Sequence, residues 1–208
     1  MSRSMSLIQP GERHEEVLSF LERRKSVPLT QFRGPGPDDA MLRRLLAIAA
    51  RAPDHGRLEP WRFVIYRPDD GARIGDALAA LVAARDPETS ADDLERERNR
   101  LRRAPVAIGV VSTAGSHERI PEWEQFLSAG AVAMNLVTAA TAAGFAVNWV
   151  TGWYSDDAEG RAILGLAPHE RMAAVVHIGD YDTPIPDRPR PDLDALISHY
   201  EGPYDGSA

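Results

Sequence analysis

The stretch that decides the fold is Arg51-Ala52-Pro53-Asp54-His55-Gly56-Arg57-Leu58-Glu59-Pro60-Trp61. Proline, glycine and aspartate favour turns, so this stretch predicts a tight connection. On its amino-terminal side, apolar residues at helical spacing predict a helix that Asp38 caps and that ends near Ala52 and Pro53. On its carboxyl side, the alternating aromatic and β-branched residues 61–66 predict a strand. The stretch therefore joins a helix to a strand.

Helices and strands alternate along the rest of the chain. Apolar spacing predicts further helices over residues 14–25, 70–84 and 156–164, and strands over 105–112, 145–150 and 172–178. The proline-rich residues 184–191 predict an extended arm, followed by a last short helix over 193–200. No internal repeat or low-complexity linker is visible, so we predict one layered domain over residues 1–208, with residues 1–13 and 202–208 as flexible tails.

A long stretch without charged side chains runs from Gln125 to Ser155. Its length alone is compatible with a membrane span. It is built of alanine, glycine and threonine, it contains Asn135 and Asn148, and Gly144 interrupts it. We therefore predict a buried core helix over residues 123–143, suited by its small residues to close packing against another helix or a second copy.

The most charged part of the chain is residues 86–103, where acidic and basic side chains alternate. A solvated helix with ion pairs along its surface and an RNA-binding patch are the two interpretations. The alternation of sign favours the solvated helix.

Composition excludes several classes of protein. The chain has 208 residues, a formal net charge of −7 and no cysteine. Without cysteine there is no disulfide framework, zinc ribbon or thiol nucleophile. The acidic balance argues against general binding to nucleic acid or anionic membranes, and the polar, charged start predicts a cytoplasmic protein. Of the 24 cationic residues one is a lysine, Lys25, which indicates a genome rich in arginine codons.

Familiar catalytic motifs are missing from the sequence. Gly34 and Gly36 form a G-x-G pair, but Asp39 stands where a dinucleotide-binding fingerprint needs a third glycine. The six histidines are scattered singly, and neither His117 nor His169 has a second histidine four residues on. We therefore expect no metal site.

A basic segment, Arg23-Arg24-Lys25-Ser26, stands where the first helix gives way to a loop. Adjacent cations and a hydroxyl can hold a phosphate dianion through charge-assisted hydrogen bonds. Basic residues also complement the negative end of a helix dipole, so both interpretations remain open from these residues alone.

Three further segments carry a resemblance to a known family. They are the turn Arg51–Trp61, the run Gly144-Phe145-Ala146-Val147-Asn148-Trp149-Val150-Thr151-Gly152, and the helix start Pro121-Glu122-Trp123-Glu124-Gln125 with Ser128-Ala129-Gly130. Together with the basic segment, and in this order, they resemble the FMN-dependent nitroreductase family, and within it the small YdjA-type NAD(P)H nitroreductases. The resemblance implies an α+β fold of three layers, α/β/α, with a central, mostly antiparallel sheet and an extended carboxyl-terminal arm.

The resemblance also implies the site. Arg24, Lys25 and Ser26 would hold the FMN phosphate and ribityl side, and Trp149, Val150 and Thr151 would line the isoalloxazine. Arg51 and His55 would reach the flavin from the partner subunit of a homodimer. NAD(P)H would bind the stretch Ala139, Ala140, Thr141, Ala142, Ala143 and Gly144, which also suits a packing helix. Arg188 and Arg190 in the arm are further candidates for neutralising the phosphate, or belong to a solvated arm.

The activity implied is an FMN oxidoreductase that takes hydride from NAD(P)H and reduces nitro compounds, quinones or similar acceptors by a ping-pong mechanism. It needs no catalytic acid or base from the protein, because the flavin supplies the chemistry. Other flavin chemistry on the same fold, such as flavin fragmentation or reductive dehalogenation, and a non-catalytic FMN-binding dimer that acts as carrier or sensor remain as alternatives. Lys25 and Val150 depart from the residues most common in the family, which are arginine and a polar or basic residue.

Overall fold

The computed structural model describes residues 11–200 and 202–203. The predicted tails fall for the most part outside these residues. The helices are α1 (Glu15–Arg23), α2 (Asp39–Ala49), α3 (Pro68–Arg85), α4 (Ala91–Arg98), α5 (Glu122–Ala142), α6 (Trp153–Asp156) and α7 (Ala158–Ile163). The strands are β1 (Trp61–Tyr66), β2 (Val106–Ser112), β3 (Ala146–Val150) and β4 (Arg171–Gly179), and single 3-10 turns lie at Leu29–Gln31, His55–Arg57 and Asp194–Leu196.

The four strands form one antiparallel sheet in the order β1-β2-β4-β3. Strand β2 lies inside the sheet, and all seven of its residues are buried, which explains its nearly continuous apolar sequence. A bulge between Val110 and Val111 shifts its register with β4. β1 and β3 are the edge strands, and the outer edge of β3 is where the candidate site begins.

Helices cover both faces of the sheet. On one face, α2 and α5 pack against the strands through a cluster that includes Leu45, Leu136 and Val176. On the other face, α3, α6 and α7 pack through a second cluster that includes Leu78, Tyr154 and Val175. The predicted three-layer α+β arrangement with an antiparallel sheet is confirmed.

The predicted core helix corresponds to α5, which has 21 residues. It is long and apolar enough to cross a membrane by length and composition. In the fold it packs against β2, β3, β4 and α2 instead, and Ala129, Ala133 and Ala140 are completely buried there. The small side chains predicted to allow close approach therefore face the sheet and α2.

The charged segment forms a shorter helix than the predicted one. α4 spans Ala91–Arg98, and its ion pairs join residues three apart, as in Arg96–Asp93 and Arg98–Glu95. Glu97 is buried rather than solvated. Its carboxylate accepts hydrogen bonds from Arg100 and from Trp153 Nε1, which offset the cost of burying its charge. The helix is otherwise exposed, as the alternating charges indicated.

The last predicted helix, over residues 193–200, is wrong. Only one 3-10 turn, Asp194–Leu196, forms there. Leu193, Leu196 and Ile197 stay exposed, so no tertiary packing offsets the cost of nucleating so short a helix. The extended arm before it is confirmed: it begins after the bridge between Arg33 and Asp180 and runs back across the end of α1.

Candidate active site

The basic segment lies along the free edge of the sheet. α1 ends at Arg23, and Arg24 then takes an extended conformation. The backbone N–H of Val27 donates to the carbonyl of Val147 at 2.9 Å, and the side-chain amide of Asn148 donates to the carbonyl of Val27 at 2.7 Å. These bonds place the end of the basic segment beside β3.

Arg24 carries an unsatisfied buried donor. Its Nη1 atom is buried and has no hydrogen-bond partner among the described residues. Burial lowers the pKa of Arg24, and the positive charges of Arg188 and Arg190 lower it further. Arg24 itself has no carboxylate partner among the described residues. A buried donor without an acceptor is costly, and a bound anion would offset that cost.

The arm, residues 184–191, lies over the basic segment. Lys25 Nζ donates a hydrogen bond to the carbonyl of Ile185, which leaves two of its three N–H bonds for a ligand. Arg190 pairs with Asp187, whereas the Arg188 side chain makes no hydrogen bond or ion pair within the described part of the chain. The positive charges of Arg188 and Arg190 thus act on Arg24, although neither side chain lines the cavity beside it.

A cavity of about 390 Å³ opens between the basic segment, the end of α5 and the arm. Its walls combine three cations with aromatic and aliphatic side chains: Phe20, Arg23, Arg24, Lys25, Val27, Thr141, Phe145, Tyr181, Pro184 and Ile185. This mixture suits an organic ligand that carries a phosphate group.

Trp149 is an exposed aromatic residue of β3 and, like Ser26, Val150 and Thr151, it does not line the cavity. It lies opposite Val176 in the strand register, on the face that carries α2 and α5, and it is 38% exposed. Thr151 is exposed and Val150 is half-buried. A large aromatic side chain left this exposed on an edge strand offers a surface for a planar ligand.

Arg51 and His55 lie elsewhere. They stand on the turn between α2 and β1, and His55 Nδ1 is 2.8 Å from Glu124 Oε2 in the first turn of α5. The cavity contacts the opposite end of α5, at Thr141 and Phe145. With a rise of 1.5 Å per residue, the two ends of this helix are about 30 Å apart. A single chain therefore does not bring His55 to Arg24, and Arg51 is not among the residues that line the cavity.

The predicted nucleotide stretch forms the last turn of α5 and the turn into β3. Ala139 and Ala140 are buried in the core, and Thr141 lines the cavity. Ala142 and Ala143 are exposed beside α2, and Gly144 adopts a φ of +90°. Of the six residues, Thr141 alone faces the cavity beside the basic segment.

Glu124 and Gln125 are site residues that no local pattern singles out. Acidic residues at a helix start also complement the helix dipole, so the position of Glu124 in the sequence does not distinguish it. Gln125 is buried and bonds the backbone of Gly115 and Ile120. Gln125 is the first residue of the long stretch without charged side chains, and this position is the one local feature that indicates its burial.

Among residues 11–200 and 202–203, no group of three histidine, aspartate or glutamate side chains is arranged to hold a metal ion. His177 is completely buried in β4, and neither of its ring nitrogens has a hydrogen-bond partner there. Burial, with the charge of Arg103 nearby, lowers the pKa of His177 to about 4.

The chain is thus an antiparallel three-layer α+β domain with a cavity lined by cationic side chains at the edge of its sheet. A family model, the nitroreductase family, matches residues 21–180. The chain belongs to this family.

Named relatives agree with the family model. The chain is 33% identical over 165 residues to a Haemophilus influenzae protein named "Putative NAD(P)H nitroreductase", covering 79% of this chain and 88% of that one. It is 28% identical over 166 residues to "Putative NAD(P)H nitroreductase YdjA" of Escherichia coli K12, covering 79% and 87%. It is also 32% identical over 179 residues to "5,6-dimethylbenzimidazole synthase" of Rhodospirillum rubrum, covering 79% and 81%.

Solved structures share the fold. A crystal structure of a "putative nitroreductase in complex with fmn" from Desulfovibrio desulfuricans superposes with a TM-score of 0.68 at 24% identity, covering 92% of this chain and all of that one.

Proposed function

We propose that the protein is an FMN-dependent oxidoreductase that takes hydride from NAD(P)H and passes electrons to nitro compounds, quinones or similar acceptors. The observation that carries the proposal is the buried, unpartnered Nη1 of Arg24, with Arg188 and Arg190 close by. Family membership and the relatives named as NAD(P)H nitroreductases support the same activity.

The residues at the edge of the sheet fit FMN. Arg24, Lys25 and Ser26 would hold its phosphate, with Arg188 and Arg190 adding positive charge from the arm. A phosphate dianion would supply the buried Arg24 donor with an acceptor and reduce the repulsion among the three arginines. Lysine keeps the charge here but lacks the planar fork of arginine, so Arg24 would make the bidentate contact.

The residues at the exit of β3 would orient the ring. Trp149 offers its exposed face, and Val150 and Thr151 would line the ring from the same side. Bound FMN would supply the redox centre that accepts hydride from NAD(P)H and reduces the second substrate. Thr141 is the residue of the predicted nucleotide stretch that borders this cavity, so it would contact NAD(P)H. A shared cleft used in turn by both substrates predicts ping-pong kinetics.

A second copy of the chain would complete the site. His55 lies far from the cavity of its own chain, Arg51 does not line that cavity, and α1 has no buried residue. Val17, Leu18 and Leu21 form an apolar face on α1 that is nearly half exposed. A homodimer would cover this face and bring Arg51 and His55 to the flavin of the partner. We expect a dimer in sedimentation velocity, and a monomer at micromolar concentration would contradict the two-subunit site.

The visible spectrum of the purified protein, loaded with FMN and recorded under anaerobic conditions, tests the proposed function. We expect a flavin spectrum that bleaches on addition of NADH or NADPH and returns on addition of a quinone or a nitroaromatic compound. A protein that takes up no FMN would contradict the cofactor assignment. A flavin that neither nucleotide bleaches would instead support the carrier or sensor.

A second candidate is flavin chemistry without nitro reduction. The relative named as 5,6-dimethylbenzimidazole synthase, at 32% identity, favours it. Oxygen consumption by the protein with chemically reduced FMN alone, in the absence of any nitro compound or quinone, separates the two. Loss of flavin absorbance with formation of a new aromatic product would favour the second candidate over the first.

A further inference from the structure

The start of α5 is a rigid support. The side chain of Gln125 accepts from the N–H of Gly115 at 3.1 Å and donates to the carbonyls of Gly115 and Ile120 at 2.8 and 3.1 Å. These three bonds fasten the preceding loop to the first turn of the helix. Glu124, the neighbouring residue, therefore presents its carboxylate from a fixed position.

The turn that carries His55 is conformationally restrained. Gly56, Arg57 and Glu59 all adopt positive φ values, of 73°, 58° and 48°. Arg57 and Glu59 are not glycine, and such backbone conformations persist only where the surroundings hold them. Asp54 Oδ2 accepts from the N–H of Glu59 at 2.7 Å, and Gly56 packs so closely on Ile120 that a methyl group there would lie 2.7 Å from its Cδ1. The turn and the start of α5 thus form one unit.

The contact between these two parts decides the chemistry of the imidazole. His55 Nδ1 and Glu124 Oε2 are 2.8 Å apart. An ionised carboxylate can only accept, so a neutral imidazole in this contact must carry its proton on Nδ1. Nε2 then has a free lone pair, and because the His55 side chain is 61% exposed, that lone pair is available to a ligand.

We propose that Glu124 is a positioning residue that holds His55 in the Nδ1–H tautomer and so presents Nε2 as a hydrogen-bond acceptor to the flavin bound by the partner subunit. The flavin part of this inference rests on the proposed function. FMN offers donors that suit such an acceptor, at its ring N3–H and its ribityl hydroxyls. Glu124 would act through His55 and would not touch the flavin, as an outer carboxylate orients a histidine ligand in metal sites.

Nitrogen-15 NMR of the histidine rings tests the tautomer without flavin. In the flavin-free protein at pH 8.5, we expect the Nδ1–H form for His55, assigned by its loss in His55→Gln. Glu124→Ala should release the ring to the Nε2–H form. Glu124→Gln should retain Nδ1–H, because the amide oxygen still accepts. Glu122→Ala, in the same helix turn but without a contact to His55, is the matched control and should change nothing.

Titration with FMN tests the consequence. We expect Glu124→Ala to weaken FMN binding about fivefold, the effect of one hydrogen bond, and Glu124→Gln to stay within twofold of the wild type. In a His55→Ala background, Glu124→Ala should have no further effect, since Glu124 would act only through the imidazole.

Three outcomes would overturn the inference: an Nε2–H tautomer in the wild type, an Nδ1–H tautomer that survives Glu124→Ala, or an equal loss of FMN affinity with and without His55. If the wild type binds no FMN, the proposed function and the flavin part fail together, while the tautomer measured in the flavin-free protein still decides whether Glu124 positions His55.

Discussion

Two arginines in this molecule have opposite surroundings. Arg62 on β1 donates to both carboxylate oxygens of Glu170 at 2.6 Å and to the carbonyl of Gly165 at 2.9 Å. These bonds raise the pKa of Arg62 and hold the pKa of Glu170 near 2. Arg24 has a buried Nη1 without a partner, and burial with two neighbouring arginines lowers its pKa.

The two arginines therefore serve different purposes, Arg62 in the stability of the fold and Arg24 in the candidate site. The Arg62–Glu170 pair ties β1 to the loop before β4, and its donors and acceptors are matched within the chain. At Arg24 the chain supplies positive charge and leaves out the acceptor. A paired arginine stabilises the fold, whereas an unpaired one on the wall of a cavity indicates an anionic ligand.

The largest expected effect comes from removing the cations of the basic segment. We expect Arg24→Ala combined with Lys25→Ala to weaken FMN binding at least ~1000-fold, about 4 kcal/mol, because two charge-assisted hydrogen bonds are lost. Isothermal titration with FMN measures it. Without FMN the variant should unfold at about the same temperature as the wild type, since relief of the repulsion from Arg188 and Arg190 offsets loss of the hydrogen bond between Lys25 and Ile185.

Arg102→Ala is the control for this variant. Arg102 is an exposed arginine of the turn before β2, and its side chain makes no hydrogen bond or ion pair within the described residues. It removes one positive charge without touching the cavity, so FMN affinity should hardly change. An equal loss of FMN affinity in both variants would mean that overall charge, and not the contacts of Arg24 and Lys25, governs FMN binding.

The next effect is on stability and concerns the paired arginine. Arg62→Ala should lower the free energy of unfolding by about 3 kcal/mol, because it leaves the buried Glu170 carboxylate without its cation. Urea denaturation measures this loss, and FMN affinity of the folded protein should be unchanged. Arg73→Ala, which breaks an exposed pair with Asp70, should cost less than about 1 kcal/mol.

The smallest predicted effect is on stability and concerns His177, which does not line the cavity. Its ring nitrogens, like Nη1 of Arg24, are buried without a hydrogen-bond partner among the described residues, and its pKa is about 4. In the unfolded chain its pKa is near 6.5, so the unfolded state gains the proton first as pH falls. His177 therefore does not lower the free energy of unfolding above about pH 6.5. Below that pH it lowers the free energy of unfolding progressively toward pH 4, by about 2 kcal/mol between pH 7 and pH 5.

Urea denaturation of wild type and His177→Leu at the two pH values checks this. We expect the variant to lose about 2 kcal/mol less than the wild type on acidification, and to be no less stable at pH 7, because leucine removes two unsatisfied polar atoms. An identical acid response of the two proteins would show that His177 titrates normally in the fold.

Local patterns allowed most elements to be predicted from the sequence. Residues 61–66 form a strand with the predicted bounds, and Asp38 caps α2 by accepting from the N–H of Met41 at 2.7 Å. Both signals depend on neighbours in the chain. The helix predicted over residues 193–200 depended instead on packing that the fold does not provide, and there the pattern failed.

The site was less predictable, because its contacts join distant residues. His55 and Glu124 are 69 positions apart, and nothing in either local pattern distinguishes this pair from other exposed acids and histidines. The approach of Arg188 and Arg190 to Arg24 depends on the course of the arm, which proline content leaves open. The grouping of Arg24 to Ser26 with Trp149 to Thr151 stays a prediction from the family resemblance. The structure shows hydrogen bonds between Val27 and β3, which join residues about 120 positions apart and which no local pattern indicates.

The central claim is that Arg24 and its neighbours form a phosphate site for FMN. The most direct test compares the affinity for FMN with that for riboflavin, which shares the ring and the ribityl chain but lacks the phosphate. We expect the wild type to bind FMN at least ~1000-fold more tightly, and the Arg24→Ala, Lys25→Ala variant to bind both with similar affinity. Equal affinities of the wild type for FMN and riboflavin, or a preference for FMN that survives in the variant, would contradict a phosphate site at Arg24.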